Sequence, residues 1–418
     1  MTKPGENKPF VRCTMANIGA EMALIWLFVC ERSLILLAYL RKAWRPASVR
    51  RQPAESPRRA RSTANSTGGH LAQTLASGTT APGTSAPPQK ARDWIEVLQR
   101  YRHPDPRRST FELFVTLVPF FILWTAAWLA LDVGYWLTLL IAIPAAFFLV
   151  RIFLIQHDCG HGALFRKKLT NDWVGRVMGV FTLTPYDAWK RSHAIHHATH
   201  GSLDDRGTGD IDTLTVREYA ALSPMRRFLY RAYRHPIVLF GIGPTILFVV
   251  QHRLPFSMLR GADWRSWASV IGTNIGLVAG GALLIWLVGW KAFLAVQLPI
   301  VAIGSSIGVW LFYIQHQFED TIWAEKPEWN VHEAALHGSS HYDLPGILPW
   351  LTANIGVHHV HHLYSRIPYY NLPKVLKDYP ELANVHRITL WESFKCVKLR
   401  LWDENERRLV SLSEAAIA

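Results

Sequence analysis

The residues in this chain that are best suited to chemistry are histidines, and they are unevenly placed. Of the 19 histidines, only His70 and His103 precede residue 157. The stretch HAIHHATHG at residues 193–201 places four of them within eight positions. Neutral imidazole nitrogen is a good ligand for zinc, copper, iron and nickel, so this density indicates a metal site.

Three histidine boxes have the spacing of ligands on a helix. The first box is H-x-x-x-H, and the second and third are both H-x-x-H-H. Residues i, i+3 and i+4 share one face of a helix, so each box presents its imidazoles to one side. The predicted metal ligands in the boxes are His157, His161, His193, His196, His197, His358, His361 and His362. A ninth is His316, which follows a long apolar segment just as His157 does.

The other histidines near the boxes have a simpler interpretation. His200 and His359 are predicted to form hydrogen bonds or to contact the ligands rather than to bind metal. His332, His337 and His341 lie in HEAALHGSSH, whose H-E-x-x-x-H spacing misses the zinc-protease pattern H-E-x-x-H by one residue. We therefore do not expect a metal in that segment.

The number of ligands limits the kind of metal site. Eight or nine nitrogens exceed what one ion can hold, which predicts two ions, whereas a structural zinc site needs four ligands. A metal transporter or a bis-histidine haem would need ligands at the middle of the bilayer, where the apolar segments of this chain have none. Two irons that use O2 to oxidise a C–H bond, at the mouth of an apolar cavity, fit better.

The elements that must position the boxes are four apolar segments. They lie at about 113–131, 135–155, 268–288 and 292–314. At roughly 1.5 Å per residue, about 20 residues cross a hydrocarbon layer of ~30 Å. Short connectors make two hairpins, which leaves all other segments on one side of the membrane. The excess of Lys and Arg there predicts that this side is cytoplasmic.

The predicted fold is therefore an all-α integral membrane protein. Four transmembrane helices form two hairpins, and a cytoplasmic helical cap carries the boxes. The second helix is expected to continue through Arg151, whose side chain would extend to the lipid headgroups. The apolar run 237–250 is too short to span and contains glycine and proline, so it is predicted to be interfacial or re-entrant.

The basic charge is concentrated at the N-terminus. The formal net charge is +14, and residues 1–110 hold 18 Lys and Arg against 7 Asp and Glu, a difference of +11. Residues 1–43 are an extension of uncertain structure with an apolar segment, and 44–91 are predicted to be a disordered basic linker rich in Pro, Ser and Ala. Because no binding motif accompanies the charge, nucleic acid is not an expected partner.

Thiolate chemistry is not expected in this chain. The four cysteines are Cys13, Cys30, Cys159 and Cys396. They form no C-x-x-C pair, so the sequence predicts neither a disulfide framework nor a thiolate zinc site.

From about residue 110 to 405, the chain resembles the membrane fatty acid desaturases, and specifically bacterial acyl desaturases of the Δ12 (omega-6) group. The resemblance is carried by QHDCGHGALF at 156–165, the stretch ending in HAIHHATHG at 201, GDIDTLTVREY at 209–219, GVWLFYIQHQFED at 308–320, HGSSHYDLP at 337–345 and NIGVHHVHHLYSRIPYYNLP at 354–373. One box alone is a weak signal, but the three in combination are specific. Residues 92–418 would form the desaturase domain.

The resemblance implies a site of two irons held by the nine histidines, with O2 as the oxidant. It also implies that Asn354 contacts a metal ligand or reaches the metal through water, because an amide is a weak iron ligand, and that Asp158 either orients a histidine or caps a helix N-terminus. Electrons would come from a separate ferredoxin or cytochrome b5 type of donor, because the chain has no haem-binding H-P-G-G motif and no cysteine cluster for iron and sulfur.

The implied reaction is the introduction of a cis double bond into an acyl lipid or acyl thioester, with a Δ12-like position on an oleoyl chain. The protein would lie in a bacterial inner membrane with its active site facing the cytoplasm. Two alternatives stay open from the residues. One is a fatty acyl hydroxylase of the same superfamily, and the other is a non-catalytic membrane protein that binds or transports metal.

Overall fold

The computed structural model describes residues 90–255 and 263–415. The predicted extension at 1–43, and the predicted linker at 44–91 up to its last two residues, lie outside that part of the chain. The α-helices of the described part are, in chain order, α1 Trp94–Leu98, α2 Pro106–Leu129, α3 Tyr135–His161, α4 Lys168–Phe181, α5 Tyr186–Thr199, α6 Val216–Ala220, α7 Pro224–Tyr233, α8 Gly243–Val249, α9 Trp264–Val288, α10 Trp290–His316, α11 Val331–His337, α12 Leu348–Leu351, α13 His358–Leu363, α14 Leu372–Asp378, α15 Pro380–Ala383 and α16 Leu390–Cys396.

Two long hairpins form the membrane part of the protein. Helices α2 and α3 make the first and α9 and α10 the second, and all four are long and apolar enough to cross a membrane. Large apolar side chains such as Phe114, Ile275 and Trp286 are exposed on their outer faces, where lipid would cover them. Helices α3 and α10 pack against each other. The predicted membrane fold with two hairpins is confirmed.

The helices run further than the apolar segments alone predicted. Helix α2 begins at Pro106, because Asp105 accepts hydrogen bonds from the backbone N–H groups that follow it and proline suits the first helical position. Helix α3 continues to His161 and ends at Gly162, which has the positive φ of +67° that favours glycine. Similarly, α10 ends at His316. His157 and His316 therefore lie within the last turns of membrane helices, not just past their ends.

Arg151 differs from its prediction. Its side chain does not extend to the headgroups but is 1% exposed, paired with the buried Glu112 of α2. Glu112 lies one residue before the predicted first apolar segment, so no sequence pattern pairs it with a residue on the next helix. A buried charge is tolerated when a partner of opposite charge and hydrogen bonds accompany it, and both are present here.

The run predicted to be interfacial or re-entrant is helical but interrupted. A π-helical turn at Val238–Ile242 leads into α8, and this segment is bent by 55° from α7. The bend itself falls between Tyr233 and Val238. Gly241 lies in the π-helical turn, and Gly243 and Pro244 begin α8. By length and composition the bent pair also fits a broken membrane span, so its placement at the interface stays a prediction.

We call the described residues outside the four long helices the cap. It also contains short strands that the all-α prediction did not include. They are β1 Leu214–Thr215, β2 His341–Asp343, β3 Arg387–Thr389, β4 Leu401–Asp403 and β5 Arg408–Val410. One sheet has the order β1-β4-β5, with β1 parallel and β5 antiparallel to β4, and the other pairs β2 with β3 in parallel. These pairings fasten the C-terminal segment to the loops that surround the boxes.

Candidate metal centre

The first box lies in the last turn and a half of α3. His157 and His161 are one helical turn apart, and their rings are 4.7 Å apart between centroids. Because α3 is a membrane helix packed between α2 and α10, its end is fixed at the boundary between the membrane part and the cap. The first box therefore rests on a rigid element.

The second box lies on α5, which packs on the end of α3. The hydroxyl of Tyr186 at the start of α5 donates a hydrogen bond to the carbonyl of Cys159, at 2.9 Å. Gly175 of α4 makes room for the Tyr186 ring, since a Cβ at that position would overlap it. This contact places His193 and His197 beside the first box, with ring centroids 4.8 Å from His157 and 4.6 Å from His161, respectively. His196, on the same helix, lies beside His316 instead.

The third box lies on the short helix α13, and His316 lies at the end of α10. The chain turns into α13 through Ala353 and Asn354, which both have positive φ, 48° and 54°. The ring of His316 is 4.7 Å from that of His358 and 4.9 Å from that of His362. The second hairpin thus delivers its histidine to the third box.

The nine predicted ligands fall into two groups. In each group, one nitrogen from every histidine lies within 4.8 Å of the others. We call them the five-histidine cluster, which consists of His157, His161, His193, His197 and His361, and the four-histidine cluster, which consists of His196, His316, His358 and His362. The structure therefore brings all nine together, at two adjoining positions.

Hydrogen bonding alone does not account for these nitrogens. The Nε2 atom of His316 is 3.2 Å from Nε2 of His196 and 3.0 Å from Nε2 of His358. Nε2 of His197 likewise faces Nε2 of His193 at 3.1 Å and Nε2 of His361 at 3.2 Å. A ring nitrogen has either one proton or one lone pair, so it satisfies only one of two such neighbours. A metal ion bound between the nitrogens removes the conflict.

The protonation state also suits metal binding. Burial, together with the neighbouring imidazoles, lowers the pKa of His193, His197 and His361 well below the ordinary value, so these rings are neutral near pH 7. Nε2 of His161 and Nε2 of His362 are buried without a hydrogen-bond partner among the described residues. Neutral rings with unpaired inward nitrogens are what a transition metal requires, so the residues fit a metal centre.

Two carboxylates hold ligands from outside. Asp158 lies 3.2 Å from Nδ1 of His157 and also accepts the backbone N–H of Tyr369 at 2.7 Å. Asp158 is in the last turn of α3 and so does not cap its own helix, but the N–H that it accepts belongs to the first residue of the 3-10 turn Tyr369–Asn371. Both predicted roles, orienting a histidine and capping a helical turn, therefore stay predictions. Asp210 lies 2.6 Å from Nδ1 of His196. Each carboxylate favours a proton on Nδ1 and leaves Nε2 for the metal.

Asp210 and Trp189 were not predicted from the sequence. Asp210 comes from an irregular segment, and only its place in GDIDTLTVREY marked it. The ring of Trp189 stacks on His193 with centroids 4.7 Å apart and an interplanar angle of 16°. Trp189 lies one turn before His193 on α5, and this helical spacing was the only sequence pattern that could have predicted the contact. Aromatic residues at that spacing are common in ordinary hydrophobic cores, so the pattern was not informative.

His359 and His200 both form hydrogen bonds, as predicted, and His200 also lies beside a cluster. His359 bonds the carbonyl of Leu382 at 2.9 Å, and His200 bonds the carbonyl of Gly338 at 2.7 Å. However, His200 also lies 4.2 Å from His316 between ring centroids, and with His196 and Asp210 it forms a third group of possible ligand atoms. Burial lowers the pKa of His200 to about 4, so it is neutral as well.

Histidines of the HEAALHGSSH segment lie outside both clusters. His337 bonds His386 at 3.1 Å, and His341 bonds the carbonyl of Ala383 at 2.6 Å. Asn354, expected near the metal, has its side-chain amide 3.5 Å from the carbonyl of Tyr369. A contact of Asn354 with a metal ligand, or with the metal through water, stays a prediction.

An aromatic wall borders the five-histidine cluster. Trp189 contacts Phe153 at 5.4 Å between ring centroids, and Phe153 contacts Phe248 at 6.1 Å. Trp189 itself is 5.9 Å from His157. The cluster therefore adjoins an apolar surface at the level where α3 leaves the membrane part.

Comparisons with known proteins find a family model and several relatives that match this chain. The family model described as Fatty acid desaturase matches residues 133–394. A fatty acid desaturase of Bacillus subtilis (strain 168) is 44% identical over 322 residues, covering 77% of this chain and 91% of that protein. An sn-1 acyl-lipid omega-3 desaturase (ferredoxin) of Synechocystis is 29% identical over 258 residues, 58% of this chain and 68% of that protein. An sn-1 oleoyl-lipid 12-desaturase of Anabaena variabilis is 25% identical over 280 residues, 60% and 73%.

Proposed function

Because the chain belongs to the fatty acid desaturase family, we propose that it introduces a cis double bond into a membrane acyl lipid, at a Δ12-like position of an oleoyl chain. Family membership makes it a membrane oxidoreductase of lipid metabolism. The observation that carries the proposed two-metal chemistry is the convergence of nine imidazoles into two adjoining clusters. Two clusters of nitrogen ligands support two ions of a redox metal better than one structural zinc ion.

The five-histidine cluster would hold one iron and the four-histidine cluster the other. When bound, such a pair activates O2 for the removal of two hydrogens from neighbouring carbons of an unactivated chain. The protein's part is to fix the ligands, to exclude water and to hold the acyl chain. Six of the nine histidines are buried, which serves the second purpose, while His161, His193 and His197 are half-buried. Asp158 and Asp210 serve the first purpose by holding ring N–H groups.

The aromatic wall is the surface that we expect an acyl substrate to contact. Phe153, Trp189 and Phe248 give an apolar surface that reaches His157 and His193. A methylene chain that lies along this surface would gain hydrophobic contact and present its carbons to the five-histidine cluster. We propose that this wall is one side of the acyl site.

Double-bond position and electron donor rest on similarity. The Anabaena relative is an oleoyl-lipid 12-desaturase, which supports the Δ12-like position, while the Synechocystis relative acts at omega-3. Its name also gives ferredoxin as its donor. We propose a separate donor of the ferredoxin or cytochrome b5 type here, and a site that faces the cytoplasm of a bacterial inner membrane, as the excess of Lys and Arg on the cap side supports.

The test is the fatty acid content of a bacterial host that lacks desaturases, supplied with oleate and expressing the chain or its His196→Ala variant. Gas chromatography with mass spectrometry should show a new diunsaturated acid with the chain and none with the variant. A diunsaturated acid with its second bond elsewhere would overturn the Δ12 position. A hydroxy acid that depends on His196 would replace desaturation by hydroxylation. If no new product forms when a ferredoxin and its reductase are supplied, the proposed desaturase activity is contradicted.

A further inference from the structure

A buried charged group links the first hairpin to the cap. Glu112 and Arg151 are each 1% exposed and form an ion pair between α2 and α3. Arg151 also donates to the hydroxyl of Thr116 at 3.1 Å, and Glu112 accepts from Arg108 at 2.9 Å. Burying an ion pair costs desolvation free energy that two packed apolar residues would avoid. Joining α2 to α3 therefore does not by itself explain why Glu112 and Arg151 are charged.

Those contacts reach both flanks of the third box. Arg151 donates to the backbone carbonyl of Trp350, which precedes the box, and its guanidinium lies 4.1 Å from the centre of the Trp350 ring. Glu112 accepts a hydrogen bond at 3.0 Å from the hydroxyl of Tyr369, which follows the box. The ion pair thus holds the two ends of the segment that contains α13.

The same segment is joined to the first box. The backbone N–H of Tyr369 donates to Asp158 at 2.7 Å, and the other oxygen of Asp158 faces Nδ1 of His157. His157 and His361 belong to one cluster, with ring centroids 4.6 Å apart. Tyr369 is therefore the residue through which the buried pair, the third box and the first box are connected.

We propose that Glu112, Arg151 and Tyr369 are positioning residues that set the spacing between the first and third boxes at the five-histidine cluster. They do not touch the metal, and they act through Asp158 and the ends of the α13 segment. The inference rests on the proposed two-iron centre. It assigns a role in metal retention to a membrane-buried ion pair that lies outside the boxes.

The test compares two adjacent tyrosines in the full chain, purified in detergent and loaded with iron. Tyr369→Phe removes the hydrogen bond to Glu112 but leaves the backbone bond to Asp158. Tyr370→Phe is the matched control, because the Tyr370 hydroxyl bonds Ser109 and the N–H of Asp105 on the same helix end without touching Glu112. Iron per chain and the rate of iron loss to a chelator are measured, with thermal unfolding alongside.

We expect Tyr369→Phe to lose iron roughly tenfold faster than wild type, in line with the loss of a supporting hydrogen bond around a metal ligand, and Tyr370→Phe to match wild type. Mössbauer spectra of ⁵⁷Fe protein should change in one of the two iron components only. The proposal would be overturned if Tyr369→Phe and Tyr370→Phe lost iron at the same rate. It would also be overturned if Tyr369→Phe lowered the unfolding temperature without changing the rate of iron loss.

Arg151→Lys gives a second test that keeps the charge. A lysine cannot bond Glu112, Thr116 and the Trp350 carbonyl at once, because it lacks the planar fork of arginine. Faster iron loss from monodisperse protein supports the proposal, and wild-type retention contradicts it. Wild-type protein that binds no iron at all would contradict the proposed function first, so the two failures are distinguishable.

Discussion

The two clusters use the same H-x-x-H-H box in opposite ways. In the second box, His193 and His197 serve the five-histidine cluster and His196 serves the other. In the third box, His358 and His362 serve the four-histidine cluster and His361 crosses to the five-histidine cluster. The pair at i and i+4 faces one cluster and the residue at i+3 faces its neighbour, since i+3 and i+4 differ by about 100° around a helix.

The clusters also draw on different hairpins. The first hairpin supplies only the five-histidine cluster, through His157 and His161, and the second supplies only the four-histidine cluster, through His316. The boxes on α5 and α13 are shared between them. A substitution of His161 or His316 therefore removes a ligand from one cluster and leaves the ligands of the other in place.

The largest expected effect comes from removing a ligand that belongs to one hairpin. His161→Ala should weaken the five-histidine cluster and His316→Ala the four-histidine cluster, each with at least about a 100-fold loss of desaturation. Mössbauer spectra should show that the two variants lose different iron components. His332→Ala, outside both clusters, is the control. Loss of the same component in both variants would disprove the division into two clusters.

The next effect concerns the carboxylates. Asp210→Asn and Asp158→Asn should each reduce iron affinity by about tenfold or more, because a neutral amide holds the ring N–H less strongly. We expect the larger loss for Asp210, whose distance to its histidine is 2.6 Å against 3.2 Å for Asp158. Competition with a chelator measures the affinity. A larger loss for Asp158→Asn would show that the distances do not rank the two carboxylates.

A smaller effect is expected from the aromatic neighbours. Trp189 stacks on His193, while Phe312 contacts His196 and His316 at 5.2 and 5.0 Å between ring centroids. Replacing either by Leu should cost about 1 kcal/mol of ring contact, or roughly a fivefold change in an equilibrium constant. If Trp189 belongs to the acyl site, only Trp189→Leu should raise the KM for substrate. A KM change confined to Phe312→Leu would move the acyl site to the other cluster.

The smallest effect is expected for His200. His200→Gln keeps a donor for the Gly338 carbonyl, so desaturation and iron content should change less than about threefold, as in the control His359→Gln, which keeps a donor for the Leu382 carbonyl. The measurement is iron per chain beside product yield. If His200→Gln lost one iron and His359→Gln did not, His200 would be a tenth ligand. Each cluster would then have five histidine ligands.

Sequence alone predicted the features that depend on local spacing. The length of the apolar segments predicted the four membrane helices. The i, i+3, i+4 pattern predicted that three imidazoles lie on one side of α5 and of α13. It did not predict which histidines share a cluster, because that depends on how α3, α5, α10 and α13 pack.

Long-range polar contacts were not predictable for the same reason. Arg151 and Glu112 are 39 residues apart, and Asp210 reaches His196 across a loop. The strands of the cap have two or three residues each, which is too short for an alternating pattern to mark them. These features depend on tertiary packing, and the carboxylates and the ion pair among them support the metal ligands.

The most direct test of the account is the metal content and ligand shell of the purified full chain. Elemental analysis with iron K-edge X-ray absorption should find about two irons per chain, in a first shell made mainly of imidazole nitrogen. His161→Ala and His316→Ala should each reduce the count to about one. A single ion per wild-type chain, or a shell dominated by carboxylate oxygen or sulfur, would contradict the two-cluster centre.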